Sequence, residues 1–241
     1  MKMELFDQFK ERGLVQVPLD GLDHIQKFLQ VEFDKLENET RPWNYWELHN
    51  PWSRSATLMD SWGFLDICQA PALIHVLTRI MGPDIILYDS QFYPDLLTNK
   101  RNDWGWHCDL DKCPVNPLSG LVVRIPFGKN RGNDVLKFRR NPQVPPKEIS
   151  IQGSEQIVIH DIGIEYLSPE ETTSREFVIR YFPGTSHYVR DASSSLQKQL
   201  TETHPLINYA KLPLWLVAGE DKSNNDFVTG FNPKAGRWIS T

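Results

Sequence analysis

Short apolar runs separated by turn-forming residues fill the chain from residue 84 onward, and this pattern most constrains the fold. The runs are rich in β-branched and aromatic residues, and Gly, Pro and Asn lie between them. They cover residues 85–88, 121–127, 135–138, 149–151, 156–159 and 177–182. Many short strands at roughly regular spacing are typical of an antiparallel sandwich or jelly roll. We therefore predict a mainly β core.

The chain before residue 84 is predicted to be mainly helical, because its apolar residues recur at helical spacing. Gly13 and the pair Gly82-Pro83 are expected to end helices. The predicted elements are a helix from about residue 5, a strand at 14–18, a helix at 25–36, a long ordered loop at 41–62 and a helix at 70–81. Since no linker or repeat divides the chain, we expect a single domain over residues 1–241, with a helical part at 1–83 and the core and tail at 84–241.

Composition excludes several classes of protein. The chain has 241 residues, 40% of them hydrophobic, which suits a folded globule with a sizeable core. The formal net charge is -5, whereas nucleic-acid-binding proteins usually carry a basic surface. The three cysteines are odd in number and lack zinc-ligand spacing, so they are expected to be free thiols. No apolar stretch has membrane-spanning length. These features favour a cytoplasmic protein that binds a small molecule, with no nucleic-acid or membrane partner.

The motif Trp106-His107-Cys108-Asp109 follows an apolar, aromatic-rich stretch. In a strand, residues i and i+2 lie on one face, so His107 and Asp109 would project to the same side. One imidazole and one carboxylate make two thirds of the facial triad that binds non-haem Fe(II) and leaves positions open. A His-x-Asp pair is common by chance, and the competing interpretation is an incidental surface feature at a strand end.

Five segments together resemble the Fe(II)/2-oxoglutarate oxygenase superfamily, and within it the phytanoyl-CoA-dioxygenase-like branch. They are FKERGLV at 9–15, APALIHVLTRIMGPDI at 70–85, WHCD at 106–109, REFVIRYFP at 175–183 and PLWLVAGED at 213–221. The resemblance implies a double-stranded β-helix core, cupin-like, with a helical flank. It also implies Fe(II) as the metal and 2-oxoglutarate as the cosubstrate.

The resemblance assigns roles to particular residues. His107 and Asp109 match two metal ligands and would be catalytic. Arg175, at the start of the predicted last strand, matches the arginine that binds the distal carboxylate of 2-oxoglutarate, and the guanidinium fork suits a carboxylate. Arg124 is a secondary candidate for a carboxylate of cosubstrate or substrate, because it is expected to face the interior, where a buried arginine needs an anion. Gln91 and Tyr93 are expected to line the pocket.

The third metal ligand is where the sequence departs from the family. The position of the family's second histidine holds Glu165, which would give a His-Asp-Glu set. His187 is an alternative ligand, in which case Lys198 would be the anion-binding residue. His160 lies nearby, at a position that the family does not use for a ligand. A further alternative is an incomplete iron site in a jelly-roll protein that binds a metal or small molecule without oxygenase activity.

The expected reaction is oxidation of a C–H bond in a small molecule. Asp109 matters for the outcome, because a carboxylate ligand at that position leaves no vacant place for a halide. Hydroxylation, desaturation or cyclisation is therefore expected rather than halogenation.

Overall fold

The structure is a computed structural model of the full chain. It describes residues 5–39, 46–93, 105–106, 108–110, 113–128, 135–150, 155–167, 175–203, 208–227, 231–232 and 237–238. Antiparallel sheet is the main regular structure of the described chain from residue 84 onward, and helices pack on one side of it. This architecture is a cupin-like jelly roll with a helical flank, as predicted.

The major sheet has six strands in the order β1-β7-β4-β9-β2-β11. The strands of this sheet are β1 (Leu14–Pro18), β2 (Ile85–Tyr93), β4 (Leu121–Phe127), β7 (Gln156–Asp161), β9 (Arg175–Pro183) and β11 (Trp215–Ala218). All pairs are antiparallel, and β9 lies between β4 and β2. The long central strands bury both faces, because helices cover one side and the rest of the β structure covers the other.

A smaller sheet of three strands has the order β6-β5-β8. Its strands are β5 (Val135–Arg139), β6 (Lys147–Ser150) and β8 (Glu165–Leu167). Three further short pairings complete the β structure of the described residues: β3 (Val115–Asn116) with β10 (His187–Tyr188), β12 (Phe231–Asn232) with β13 (Arg237–Trp238), and a bridge between Trp46 and Gln91. Apolar side chains of β5, β6 and β8 pack with Leu14 and Val158 of the major sheet, so the two sheets enclose a common interior.

Five α-helices are described: α1 (Leu5–Arg12), α2 (Leu22–Glu37), α3 (Ser61–Cys68), α4 (Pro71–Met81) and α5 (Ser195–Thr203). Gly13 ends α1 with φ of 71°, a left-handed conformation that glycine adopts without strain. Asp60 caps α3 by accepting a hydrogen bond from the Gly63 backbone nitrogen at 3.0 Å. Pro71 begins α4, where its missing N–H costs nothing.

The helices and the major sheet share the largest apolar core. Several aromatic rings contact one another in it: Phe33 of α2 and Phe64 of α3 each contact Phe92 of β2 edge to face, at centroid distances of 5.2 and 5.5 Å. Such contacts contribute beyond the area that they bury. The residues of β4 and β9 that join this core are odd-numbered, which leaves their even-numbered neighbours facing the interior between the sheets.

The structure differs from the sequence predictions in a few elements. Part of the segment predicted as a loop at 41–62 forms a 3₁₀ helix at Arg54–Thr57 and the start of α3, while residues 40–45 lie outside the described chain. Residues 195–203 form α5, which no prediction covered. None of the three cysteines, Cys68, Cys108 and Cys113, is in a disulfide. In the described part of the chain no single helix is long and apolar enough to cross a membrane, although α3 and α4 pass that test when taken together as a bent pair, by length and composition only.

Candidate functional site

The interior face of the major sheet is polar over its central strands. Strand register aligns His160, Val122, Arg180 and Asp89 across β7, β4, β9 and β2. The next interior row contains Val158, Arg124, Val178 and Gln91, and the row after it contains Glu176 opposite Tyr93. Arg124, Gln91 and Tyr93 therefore face the interior, as predicted.

Arg180 is the centre of the first ionic group. Its side chain is fully buried on β9, and its guanidinium bridges two carboxylates. Nε and Nη2 both donate to Oδ1 of Asp109, at 3.2 and 2.8 Å, and Nη1 donates to Oδ2 of Asp89 at 2.6 Å. Burial opposes the charged form of Arg180, but Asp109 and Asp89 outweigh burial and raise its pKa. The arrangement holds Asp109, which is 0% exposed, in a fixed orientation.

Arg124 is the centre of the second ionic group. Nη1 donates to Oε2 of Glu176 at 2.8 Å, and both side chains are almost completely buried. The guanidinium lies over the ring of Tyr166 on β8, and its central carbon is 4.1 Å from the centroid of that ring. The same carbon is 5.7 Å from the ring centroid of Tyr93. The anion that a buried arginine requires is thus supplied by the protein itself.

His160 links this group to the backbone. Its Nε2 accepts a hydrogen bond from Nε of Arg124 at 3.1 Å, and its Nδ1 lies 2.9 Å from the carbonyl oxygen of Asp161. Because Arg124 can only donate, Nε2 must carry the lone pair and Nδ1 the proton. Burial and then the positive charge of Arg124 lower the pKa of His160 to about 3, so the ring is neutral at physiological pH.

Two arginines and three carboxylates meet in this interior. Arg124 contacts Glu176, and Arg180 contacts Asp89 and Asp109. Buried charges of both signs therefore lie on one face of the major sheet, and the carboxylate of Asp109 is among them.

Glu47 is a further carboxylate of this region, and the charge of Asp89 acts on it. It has φ of 55°, which is uncommon for a residue other than glycine. Burial, followed by the charge of Asp89, raises the pKa of Glu47 to about 7, although a hydrogen bond from Asn50 opposes the shift. Its neighbour Trp46 bridges to Gln91, which fixes this segment beside β2.

The structure describes one of the two ligands predicted in the His-x-Asp motif. Asp109 lies inside the barrel, whereas His107 lies outside the described residues. Trp106, which precedes His107, is half-buried and lies under the guanidinium of Arg139, 4.0 Å from the ring centroid. Among the described side chains no group of three His, Cys, Asp or Glu is arranged to hold a metal ion.

Arg175 lies on the other face of the major sheet. It pairs in register with Phe127 of the helix-side core, its guanidinium lies 4.2 Å from the Phe33 ring centroid, and Nη1 is 3.8 Å from Oδ1 of Asp34 on α2. The structure therefore does not bring Arg175 together with Asp109. Its role in binding the cosubstrate stays a prediction.

The candidate third ligands are spread over different elements. Glu165 pairs in register with Arg139, whose Nε donates to its Oε2 at 2.7 Å. Tyr166, the next residue of β8, is the one that contacts Arg124 and His160, so strand alternation directs Glu165 to the opposite face. His187 is exposed on β10, and Lys198 is exposed on α5. His160 is interior, but Arg124 uses its lone pair. None of these placements identifies the third ligand, and Glu165 stays a prediction.

Sequence reasoning missed Arg180, Asp89 and Glu176. One signal was available: Glu176 and Arg180 lie among apolar and aromatic residues within β9, and a charged residue in such a run needs a buried partner. The partner could not be identified, because Asp89 and Asp109 are far from β9 in the sequence and meet it only in the fold.

Solved structures of other proteins have a similar architecture. No known family profile matches the sequence, and no curated protein matches it significantly. Several solved structures do match. CytC3 with Fe(II) and alpha-ketoglutarate is 15% identical, with a TM-score of 0.65 over 99% of this chain and 97% of that one. The nickel complex of the non-heme monooxygenase ThoJ is 14% identical, with a TM-score of 0.61 over 90% of this chain and 85% of that one.

A third match is the epimerase SnoN in complex with Fe3+, alpha ketoglutarate and nogalamycin RO. It is 13% identical, with a TM-score of 0.52 over 76% of this chain and 84% of that one. The chain has the fold of the non-haem iron, 2-oxoglutarate-dependent enzymes. These likenesses confirm the fold that was predicted from the sequence, and nothing in them distinguishes the phytanoyl-CoA-dioxygenase-like branch.

Proposed function

We propose that this protein is a non-haem Fe(II), 2-oxoglutarate-dependent oxygenase that oxidises a C–H bond of a small molecule. The observation that carries the proposal is the position of Asp109. The carboxylate of the His-x-Asp motif lies fully buried inside the jelly roll, where Arg180 donates two hydrogen bonds to its Oδ1. A surface motif formed by chance would not place its carboxylate there.

The donor set fits a hard or borderline divalent metal. Asp109 supplies an oxygen ligand and His107 a nitrogen ligand, which suits Fe(II). Arg180 donates to Oδ1 of Asp109, so Oδ2 is the oxygen that would bind the metal. Glu165 stays the third ligand on the strength of the sequence resemblance alone, because Arg139 engages its carboxylate and strand alternation directs it away from the face of Tyr166.

For the cosubstrate, the interior position favours Arg124 over Arg175. Arg124 faces the same interior as Asp109, whereas Arg175 faces α2. Binding a carboxylate at Arg124 requires Glu176 to yield part of its interaction with the guanidinium. Arg175 stays the alternative, on the strength of the sequence resemblance alone.

When bound, iron would activate O2, which is the oxidant, and 2-oxoglutarate would be oxidised to succinate and CO2 together with oxidation of the C–H bond. The chain contributes a fixed carboxylate and an interior walled by Tyr93 and Tyr166, which limits access of water. Hydroxylation, desaturation and cyclisation all remain compatible with these groups. The matched enzymes include a monooxygenase and an epimerase, so the fold does not select the outcome.

The test is formation of the iron–cosubstrate complex without oxygen. Fe(II) and 2-oxoglutarate added to the purified protein should give the weak visible charge-transfer band of the chelate. Asp109→Asn, which keeps an acceptor oxygen for Arg180, should lose the band, as should His107→Ala. Asp66→Asn, an exposed carboxylate on α3, is the matched control and should retain it.

Absence of the band from the wild-type protein, with no binding of Fe(II), would overturn the proposal and favour a jelly-roll protein without oxygenase activity. Asp109→Ala is a poorer choice of variant. It leaves the buried Arg180 with Asp89 alone, and loss of one partner of a buried ion pair is strongly destabilising.

A further inference from the structure

We propose that Arg180 is an internal counter-ion of the metal site, which neutralises Asp109 and Asp89 when no metal is bound and lowers the affinity of the site for a divalent metal. The inference rests on the proposed function and adds to it how metal binding is tuned. It assigns this role to a residue that is not itself a ligand.

Arg180 makes two hydrogen bonds to the predicted ligand Asp109 and one to Asp89. Two of its N–H groups converge on a single oxygen of Asp109, at 3.2 and 2.8 Å, and a third N–H reaches Asp89 at 2.6 Å. The guanidinium thus occupies one side of the Asp109 carboxylate. A metal bound through the other oxygen would share that carboxylate with a fixed positive charge.

The first consequence concerns the metal-free protein. Two carboxylates, Asp89 and Asp109, are buried beside one another, and without a cation their mutual repulsion and lost hydration would oppose folding. Arg180 supplies that cation permanently. The barrel should therefore fold without metal, and added metal should stabilise it only modestly.

The second consequence concerns affinity, where two effects of Arg180 oppose each other. Its hydrogen bonds fix the orientation of Asp109, which favours binding. Its charge repels a divalent cation on the same carboxylate, and in a buried site this repulsion is weakly screened. Because the incoming ion carries two charges and the carboxylate is already confined by burial, repulsion should exceed the benefit of orientation.

The experiment measures the affinity for Co(II) and Mn(II) alone, by calorimetry, with no cosubstrate present. Arg180→Gln should bind these ions about tenfold more tightly than the wild type, or better. Its metal-free form should melt at a lower temperature, and its melting temperature should rise more on addition of metal. Arg124→Gln is the matched control, since it removes an equally buried arginine that contacts Glu176 and His160 instead of Asp109. It should lose stability with a smaller change in metal affinity.

Two further variants keep the test decisive if Arg180→Gln does not fold. The double variant Arg180→Gln/Asp89→Asn removes one charge of each sign, so the interior keeps its net charge, and it should bind metal more tightly than Asp89→Asn alone. Arg180→Lys keeps the positive charge and should stay near the wild-type affinity.

Weaker metal binding in Arg180→Gln or in the double variant would overturn the inference and leave Arg180 as a group that orients Asp109. That outcome would not affect the proposed function, because the wild type would still bind the metal. Failure of the wild type and of all variants to bind either ion would instead overturn both.

Discussion

Arg124 donates to Nε2 of His160 at 3.1 Å, and this one hydrogen bond determines what the histidine can do. The lone pair of Nε2 is the group that a metal would need, and it already serves a buried guanidinium. The other ring nitrogen is committed to the carbonyl of Asp161. His160 therefore accepts a hydrogen bond from Arg124 inside the barrel and has no lone pair left for a metal. It shares this interior with Asp109, but it is not positioned as a ligand.

Replacing His160 should affect stability and leave metal binding unchanged. In His160→Leu the Nε–H of Arg124 loses its buried acceptor, which should cost about 1–3 kcal/mol of the free energy of unfolding. His160→Gln can still accept from Arg124 and should cost less. Denaturant unfolding and a metal titration measure the two effects separately. Loss of the metal in both variants at retained fold would make His160 a ligand.

Glu176→Gln should increase the affinity for a dicarboxylate. In the proposed site the wild-type carboxylate would compete with the cosubstrate for Arg124, and the amide would compete less strongly because it carries no charge. Calorimetry with 2-oxoglutarate or an unreactive analogue, in the presence of Mn(II), measures the change. Glu148→Gln on the exposed side of β6 is the matched control. A fall in affinity would show that Glu176 helps to position Arg124 instead of competing for it.

The sequence predicted where the strands lie better than it predicted which face of the sheet each side chain is on. The apolar runs at 14–18 and 121–127 coincide with β1 and β4. On β9, however, both faces are buried, so no alternation of apolar and polar residues reveals which side chains point to the interior. Arg175 and Arg180 lie five residues apart and therefore on opposite faces. Only the packing of α2 against the sheet decides which face each one takes.

Arg175→Gln should consequently have a small effect on cosubstrate binding. Its guanidinium is partly exposed, lies over Phe33 and pairs loosely with Asp34, so we expect a stability loss of about 1 kcal/mol or less. Asp34→Asn is the matched control and should show a similar loss. Calorimetry with 2-oxoglutarate in the presence of Mn(II) measures cosubstrate binding in this variant too. A rise of tenfold or more in the 2-oxoglutarate requirement would restore the role predicted from the sequence, at about the magnitude expected for a lost carboxylate partner.

The helical elements show a second limit of sequence reasoning. The periodicity of α4 and its ending at Gly82 were predictable, but α3 begins within a stretch rich in Trp, Asn, Pro and Ser, where composition favours a loop. α5 has a polar sequence, and its buried Leu200 is too little apolar surface to give a clear signal. Packing against the fold stabilises such helices, so local sequence carries little information about them.

Glu165→Gln tests the remaining candidate ligand. Since Arg139 already engages the carboxylate at a half-buried position, the variant should lose at most about 1 kcal/mol of stability and keep its metal affinity. Arg139→Gln should produce a similar loss of stability. A large fall in metal affinity in Glu165→Gln, with binding retained in Glu165→His, would instead establish Glu165 as the third ligand.

Glu47 should make stability depend on pH in a defined window. Burial and Asp89 raise the pKa of Glu47 from 4.5 to about 7 in the folded protein, so between these values the folded protein holds a proton that the unfolded chain has lost. The contribution of Glu47 to the free energy of unfolding is therefore complete below pH 4.5 and declines as pH rises to about 7, by up to about 1.4 kcal/mol per pH unit.

Glu47→Gln removes this dependence, because the amide does not titrate. Relative to the wild type, the variant should gain about 1–3 kcal/mol of stability between pH 5 and pH 7.5. Denaturant unfolding of both proteins across this range provides the measurement, and the exposed Glu11→Gln is the matched control, which should keep the wild-type slope. Parallel curves for the wild type and Glu47→Gln would mean that the carboxyl of Glu47 is already ionised at pH 5 and that Asp89 does not act on it as the geometry implies.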